Sequence, residues 1–326
     1  MATAEQSVAM PSAAPRKKAV NPFWISDFAW RDGGIYIRKT GIHLRPTRAV
    51  LAEIASWAVY LALLSVAALW ARLAHPKRLS IWYAPDRPRP WYMSRGIALW
   101  GGIGIATSPE NANAAVYFDD VTQGDPPPCL MPLRLNYGCT DISKSHVAAV
   151  FAEVFGYPLA LNPSAADGEI VEKSDKNGVH DGRIVMAPCT AAPGKVYQRI
   201  VDTRDDDDCC RDLRTPCIGG EPVVVWIKTK TPEGRFSINN RHAHLAEPAD
   251  IFSAQERDLI KRFNTRMGLD CGGLDILRDR TDGRIYIVDV NKTDLGPVIA
   301  LSWRDKIKSM TRLGTALRRL IEKDQP

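Results

Sequence analysis

Asp275, Asp289 and Asn291 fall within one stretch, GGLDILRDRTDGRIYIVDVN (272–291). Together they offer two carboxylates and an amide carbonyl. An all-oxygen set of this kind suits Mg²⁺, a hard cation that keeps waters and bridges to phosphates. A hairpin would bring the three together. Thr281-Asp282-Gly283 reads as a three-residue loop with Gly where positive φ is favoured. That loop sets Arg280 opposite Arg284 and, counting back, Asp275 opposite Asp289. Side chains alternate, so Asn291 lies on the same face, one step along. Directly opposed Cβ atoms stand roughly 4.5–5.5 Å apart. The same count puts Ile285 and Ile287 on the face of Asp289, with Tyr286, Val288 and Val290 on the other. A strand apolar on both faces is buried. Two like charges there repel, and buried carboxylates are costly unless paired or bound to metal. The plain alternative is an acidic strand end that opens into solvent, paired with Arg or Lys.

Two lysines stand where anions could be met. Lys144 opens the helical stretch KSHVAAVFAEVF, which Ser143 can cap and Gly156 can end. Lys173 closes the strand EIVEK (169–173), ahead of a loop with Gly178 and Gly182. A lysine at a strand end is a point charge that can reach phosphate oxygens. Loop glycines let backbone N–H groups approach an anion. Each lysine taken alone also reads as a solvated surface charge.

These residues need elements to hold them. LSIWYA (79–84) and ANAAVYFDD (112–120) read as strands around a helix, WYMSRGIALW (91–100), giving a β-α-β unit. GGIG (101–104) lacks the Lys-Ser/Thr of a phosphate loop and reads as a turn. After a Pro-rich boundary at 124–129, KVYQRIV (195–201) and VVVWIKTK (223–230) read as strands, with RFSIN (235–239) as the return partner of the second. Residues 202–220 read as a polar, cysteine-bearing insertion. Residues 253–267 and 303–323 read as helices. In the latter Ile307, Met310, Leu313, Leu317 and Leu320 line one face. The division expected is a tail (1–22), an N-terminal region (23–78) with an apolar helix at 49–73, a β-α-β domain (79–135), and a larger domain (136–326).

Ordered in this way, the residues resemble the ATP-grasp superfamily. An acid, a hairpin and then Asp-Val-Asn are similar to its metal-binding end. Many members have Glu as the second acid, whereas Asp289 is similar to the inositol polyphosphate kinase branch. Lys144 with Gly156-Tyr157-Pro158, Lys173 with its glycine loop, and VYQRIVD agree in order. The resemblance covers roughly residues 136–300. It implies an α/β (α+β) fold in which two subdomains clasp ATP behind a preceding β-α-β domain. It implies ATP and Mg²⁺ as cofactors, with metal on Asp275, Asp289 and Asn291. Nucleotide contacts would come from Lys144, Lys173, Gly178, Gln198 and Ile200, with Glu221 or Asp202 at the ribose. Lys173, Lys228 and Arg241 would act on the phosphates or the acceptor, although Lys228 and Arg241 also read as surface charges. Leu-Gly-Pro (295–297) replaces the usual Pro-Gly, which leaves the acceptor open. The implied activity is that of an ATP-dependent ligase. It would activate a carboxylate as an acyl phosphate for an amine or thiol nucleophile. A kinase acting on a hydroxyl and a non-catalytic nucleotide-binding protein are the alternatives. Unidentified small-molecule carboxylate and amine substrates are the partners expected. Ser145, His146 and Cys139 are not needed as nucleophiles.

Composition limits the rest. The net charge of +6 over 326 residues is mild. Without zinc-finger spacing, RNP-like aromatics or a long basic stripe, no nucleic-acid partner is expected. Seven cysteines, an odd number with no CxxC pair, suit free thiols in a reducing compartment and a cytoplasmic location. Cys209, Cys210 and Cys217 also stand close enough in sequence to suggest a metal. Ile54 to Ala71 carries no charge, and its eighteen residues would span roughly 27 Å as a helix, near the thickness of a bilayer core. A membrane anchor with Trp57 and Trp70 near the interfaces and a buried helix are both open readings.

Overall fold

The computed structural model describes residues 24–38, 43–232, 242–298 and 300–324. The chain forms two compact units, Met1–Pro46 and Thr47–Pro326. In the first, β1 (Phe28–Arg31), β2 (Gly34–Ile37) and β3 (His43–Leu44) make an antiparallel sheet in that order.

The second unit opens with α1 (Arg48–Ala74), which Thr47 caps by accepting from the Val50 N–H. A four-stranded parallel sheet follows, of order β5-β4-β6-β7, from β4 (Leu79–Pro85), β5 (Ile103–Ile105), β6 (Ala114–Phe118) and β7 (Arg134–Leu135). α2 (Met93–Trp100) is the crossover between β4 and β5. The GGIG stretch is therefore only half a turn, because Ile103 and Gly104 already belong to β5. Its apolar continuation, IGI, can pair beside β4, where Ile103 is buried.

The chain then runs into α3 (Lys144–Phe155), capped by Ser143 and ended by Gly156 at φ 79°. Next come β8 (Gly168–Ser174), β9 (Arg183–Ala187) and β10 (Lys195–Gln198), an antiparallel sheet of order β10-β8-β9. The largest sheet is built from β11 (Cys210–Ile218), β12 (Glu221–Pro222), β13 (Val225–Lys230), β14 (His242–Ala246), β15 (Cys271–Arg278) and β16 (Ile285–Asn291). Its order is β14-β13-β11-β15-β16, with β12 paired to one end of β11. The short α4 (Pro248–Ile251) and α5 (Ala254–Met267) lie in sequence between β14 and β15, and α6 (Trp303–Lys323) closes the fold.

The structure departs from the sequence expectations at three places. Residues 202–220 are not simply an insertion, since β11 is an inner strand of the main sheet. Its charges alternate with Leu213, Thr215 and Cys217, and those three side chains are buried. The partner of β13 is His242–Ala246; residues 235–239 lie outside the described residues. In α6, Ile307 is exposed, while Met310, Leu313, Leu317 and Ile321 carry the buried face.

Two principal cores hold the second unit. One joins α3 and α5 to the main sheet through Phe151, Phe263, Leu274, Ile276, Ile287 and Val290. The other joins the parallel sheet, α2 and α6, and reaches Trp226 of β13, whose indole N–H donates to Ser309 Oγ at 2.9 Å. Both meet at the main sheet, which is why its acid-bearing strands are fixed from two directions.

Candidate functional site

The hairpin of β15 and β16 pairs Asp275 with Asp289 and Gly273 with Asn291. The sequence arrives at this pairing by a count that is off by one at the loop and right at the acids. The last pair before the loop is Arg278 with Ile285, not Arg280 with Arg284. Asp279 tightens that loop, accepting from the Thr281 N–H at 2.9 Å while its own N–H donates to the Arg284 carbonyl at 2.9 Å. The one-residue difference is absorbed by a bulge: Ile276 pairs with Ile287 and Asp275 with Asp289, leaving Val288 extra. The bulge also corrects the expected faces. Ile287 sits across from core-facing Ile276, away from Asp275 and Asp289.

Register across the sheet brings further charges to this face. Arg214 of β11 pairs with Asp275, and Asp212 of β11 pairs with Lys228 of β13. The Arg214 guanidinium donates to Asp275 Oδ2 at 2.5 Å and to Asp294 Oδ1. With its amide turned so that oxygen faces the guanidinium, Asn291 accepts from Arg214 at 2.7 Å. Lys228 Nζ donates to Asp275 Oδ1 at 3.0 Å, and Lys230 pairs with Asp212 at 2.7 Å. Asp275 is thus paired with cations, the alternative that the sequence leaves open. Burial pushes its carboxyl up, but Arg214 and Lys228 outweigh this and hold it well below the usual carboxylate range.

Asp289 is held differently. Its one ion pair among the described residues is with Lys144 Nζ, at 3.8 Å. Burial raises its carboxyl, the charge of Asp275 adds to the rise, and Lys144 and Lys173 offset it only in part. Lys173 sits beside it, with Nζ donating to the Val288 carbonyl at 3.2 Å. Burial brings its ammonium down to about 8 against the pull of Asp289. Asp294 is buried, its Oδ2 has no partner among the described residues, and burial raises it to about 6 despite Arg214. Gly273 makes room for it, since a Cβ there would collide with Oδ2.

The loop after Lys173 lies over this cluster. Lys144 Nζ donates to the Lys176 carbonyl at 3.2 Å. Asp175 receives the Ser145 N–H at 2.8 Å at the start of α3. Asn177 donates its N–H to Thr122 Oγ1 at 3.0 Å and its amide to the Val290 carbonyl at 3.4 Å. Gly178 adopts φ +75°, open to solvent, so its conformation and not lack of space calls for glycine.

Gln198 is buried at the end of β10, and its Nε2 has no partner among the described residues. Such a donor costs about 1–3 kcal/mol unless something accepts from it. Ile200 lies half-buried just beyond. Glu221 is not brought to the cluster. It is exposed on β12, pairs with Lys261 at 2.7 Å, and faces Ile218. Ile218 is four residues along β11 from Arg214, or roughly 13 Å. Asp202 is engaged by Arg204 at 2.8 Å. Arg241 lies outside the described residues. The sequence reading misses Arg214, Asp212, Lys230 and Asp294. The alternation R-D-L-R-T in β11 carries the signal for the first two.

The donor chemistry suits a hard cation in part. No three His, Cys, Asp or Glu side chains form a metal-sized group among the described residues. The oxygens that remain are those of Asp289, with Asp275 and Asn291 shared with Arg214. A cation here would therefore rest first on Asp289.

No protein-family model matches the chain, and no curated protein does. Among solved structures, the chain is similar to the ATP-grasp ligase PsnB. Complexed with a minimal precursor, PsnB shares 15% identity over 59% of this chain and 64% of its own, with a TM-score of 0.40. Complexed with the minimal precursor, Mg and ADP, it shares 13% identity over 76% of this chain and 99% of its own, at 0.47. The macrocyclase MdnC from Microcystis aeruginosa MRC, bound with precursor peptide MdnA, shares 11% over 76% of this chain and 100% of its own, at 0.43.

Proposed function

We propose that the chain is an ATP-grasp enzyme. It would bind Mg-ATP over β15 and β16 and activate a carboxylate as an acyl phosphate for attack by an amine or thiol. The observation that carries this reading is Asp289. It is a part-buried acid facing a second acid, with two lysines of α3 and β8 close by and its charge incompletely offset. Asp289, with Asp275 and Asn291, would hold the cation. Lys144 and Lys173 would neutralise phosphate oxygens, and Lys228 would stay on Asp275 and orient it. The open donor of Gln198 suits a nucleobase acceptor, with the backbone of Ile200 beside it. Mg-ATP supplies the transferable phosphoryl group, and catalysis then rests on positioning and charge.

The carboxylate expected from sequence is a small molecule, whereas PsnB above is complexed with a minimal precursor and MdnC is bound with a precursor peptide. A peptide-borne carboxylate therefore joins the small acids as a proposed substrate. An ADP-release screen across amino acids, small carboxylates, polyols and acidic peptides tests the reading. Release with a new amide supports it. Release with a stable phosphoester would replace it with a kinase, and unchanged release by Asp289→Asn would remove the metal assignment.

α1 supports a second statement, that the chain sits on an anionic bilayer. Val50–Ala74 is long and apolar enough to cross a membrane, with mean hydropathy 1.9. One stripe, Trp57, Tyr60, Leu61 and Leu64, packs into the core with α2. Val66, Leu69, Trp70 and Leu73 remain exposed. Arg48, Arg72, Lys77 and Arg78 bracket the helix, with Glu53 inside it. Two copies packed along α1 would oppose basic ends, while lipid phosphates would accept them. The packed stripe favours a helix lying on the bilayer over one crossing it.

A further inference from the structure

A narrow cavity opens on the same face of the main sheet as Asp275, displaced along β15. Its floor is Cys271 and Gly272 of β15 with Pro216 of β11, and its walls include Tyr83, Met93 and Ile97. It is small, with a cavity volume of about 40 Å³, and it is partly open to solvent. The walls are almost wholly apolar. Four polar side chains interrupt them: Ser94, Lys292, Asp294 and Tyr83, whose hydroxyl donates to the Ser94 carbonyl at 3.1 Å.

Two of the four hold buried oxygens without a donor. Asp294 Oδ2 and Ser94 Oγ both lack a partner among the described residues. Lys292 does not serve them, because its Nζ donates to the Cys139 carbonyl at 3.4 Å and lies 4.6 Å from the centre of the Tyr117 ring. Arg214 binds only Oδ1 of Asp294. A buried carboxylate oxygen on a residue that lines an apolar cavity is costly unless a donor meets it. Gly273 leaves it room, as any side chain there would collide with Oδ2.

We propose that this cavity takes the second substrate as a primary ammonium on a short apolar body, with Asp294 Oδ2 and Ser94 Oγ accepting its hydrogen bonds. This deepens the ligase reading and rests on it. An ammonium has three donors and a charge that complements the carboxylate. An alcohol offers one donor and no charge, and a carboxylate would meet Asp294 as a like charge. The apolar walls suit the carbon body. Asp294 is linked through Arg214 to Asp275, so an amine here would stand beside the proposed phosphoryl site.

The test is ligand-observed NMR and calorimetry on the full chain without nucleotide, using n-propylammonium, n-propanol and propionate as probes. Propylammonium is expected to bind saturably and at least tenfold more tightly than either of the others. Asp294→Asn should weaken it by tenfold or more, and Ser94→Ala by about threefold. Ile97→Trp, which fills the cavity with apolar volume and leaves Asp294 in place, should abolish it. Equal binding of propanol, tighter binding of propionate, no binding of any probe, or an unaltered Asp294→Asn would each overturn the proposal. Mg-ATP binding to the wild-type chain is measured separately. Its absence would sink the nucleotide reading and leave the amine result legible.

Discussion

Asp275 and Asp289 oppose each other across the hairpin, yet one carboxylate is over-compensated and the other under-compensated. Arg214 and Lys228 both bond to Asp275, whereas the ion pair of Asp289 among the described residues is a single contact at 3.8 Å. The asymmetry makes Asp289 the acid that gains most from an added cation. Asp289→Asn should therefore raise the stability of the free protein by about 1 kcal/mol, since it removes a poorly compensated charge. It should also lower Mg-ATP-dependent ADP release by at least tenfold. Urea unfolding and an ADP assay check the two arms, and a variant that is both less stable and active would contradict the account.

Arg214 is the centre of the charged row. Arg214→Met leaves Asp294 and half of Asp275 without a partner in a buried setting, at a cost of about 3–5 kcal/mol. Adding Asp294→Leu removes one of the stranded acids and should recover at least about 1 kcal/mol. Unfolding midpoints of the single and double variants measure the coupling. Simple additivity would show that the short contact of Arg214 with Asp294 contributes nothing.

Lys173 sets a pH dependence. Its ammonium is brought down to about 8, below the ordinary lysine value of about 10.4. The unfolded chain thus binds the proton more tightly. The contribution of this group to stability is smallest below about pH 8 and grows as pH rises toward the unfolded value. Phosphates favour the charged form, so nucleotide binding near pH 8.5 should take up a proton and weaken as pH rises further. Calorimetry in two buffers of different ionisation enthalpy reads the uptake. Lys173→Arg, which stays charged, should lose it, and equal enthalpies for the wild type would count against the role.

Gln198 can be tested from both sides. Gln198→Met removes an unpartnered buried donor, so the free protein should be as stable or more stable by up to about 2 kcal/mol. Affinity for ATP should fall about tenfold through loss of a base contact. Thermal unfolding with and without Mg-ATP separates the two effects. A variant that is destabilised yet binds ATP normally would assign Gln198 to the fold alone.

α1 predicts a lipid-dependent distribution. The full chain should sediment with vesicles of one-third phosphatidylglycerol in phosphatidylcholine, and less than a third as much with phosphatidylcholine alone. Val66→Ser/Leu69→Gln/Trp70→Ser should reduce sedimentation at least fivefold. Self-association without lipid that the same substitutions abolish would instead assign the face to a second copy.

The sequence makes some of this architecture readable and hides the rest for physical reasons. Helix α3 is legible because Ser143, the apolar spacing and Gly156 all agree. The hairpin is legible because its acids interrupt so apolar a strand. Strand β11 is hidden because Pro216 and the run DDDDCC suggest a loop, although Asp212 and Arg214 alternate with buried neighbours. Asp294 is hidden because its environment is assembled from β4, α2 and β11, far away in the chain. Glu221 looks eligible by position, and only register shows that it belongs to a surface ion pair.

Val288 has a consequence for the length of this hairpin. Removing that residue alone would set Asp289 directly after Ile287, and plain alternation would still bring Ile287 to Ile276, Asp289 to Asp275 and Asn291 to Gly273. What would go is the carbonyl to which Lys173 Nζ donates at 3.2 Å. The extra residue therefore serves the lysine rather than the pairing of the acids, and a chain shortened there would keep its triplet while losing the anchor of the cation beside it.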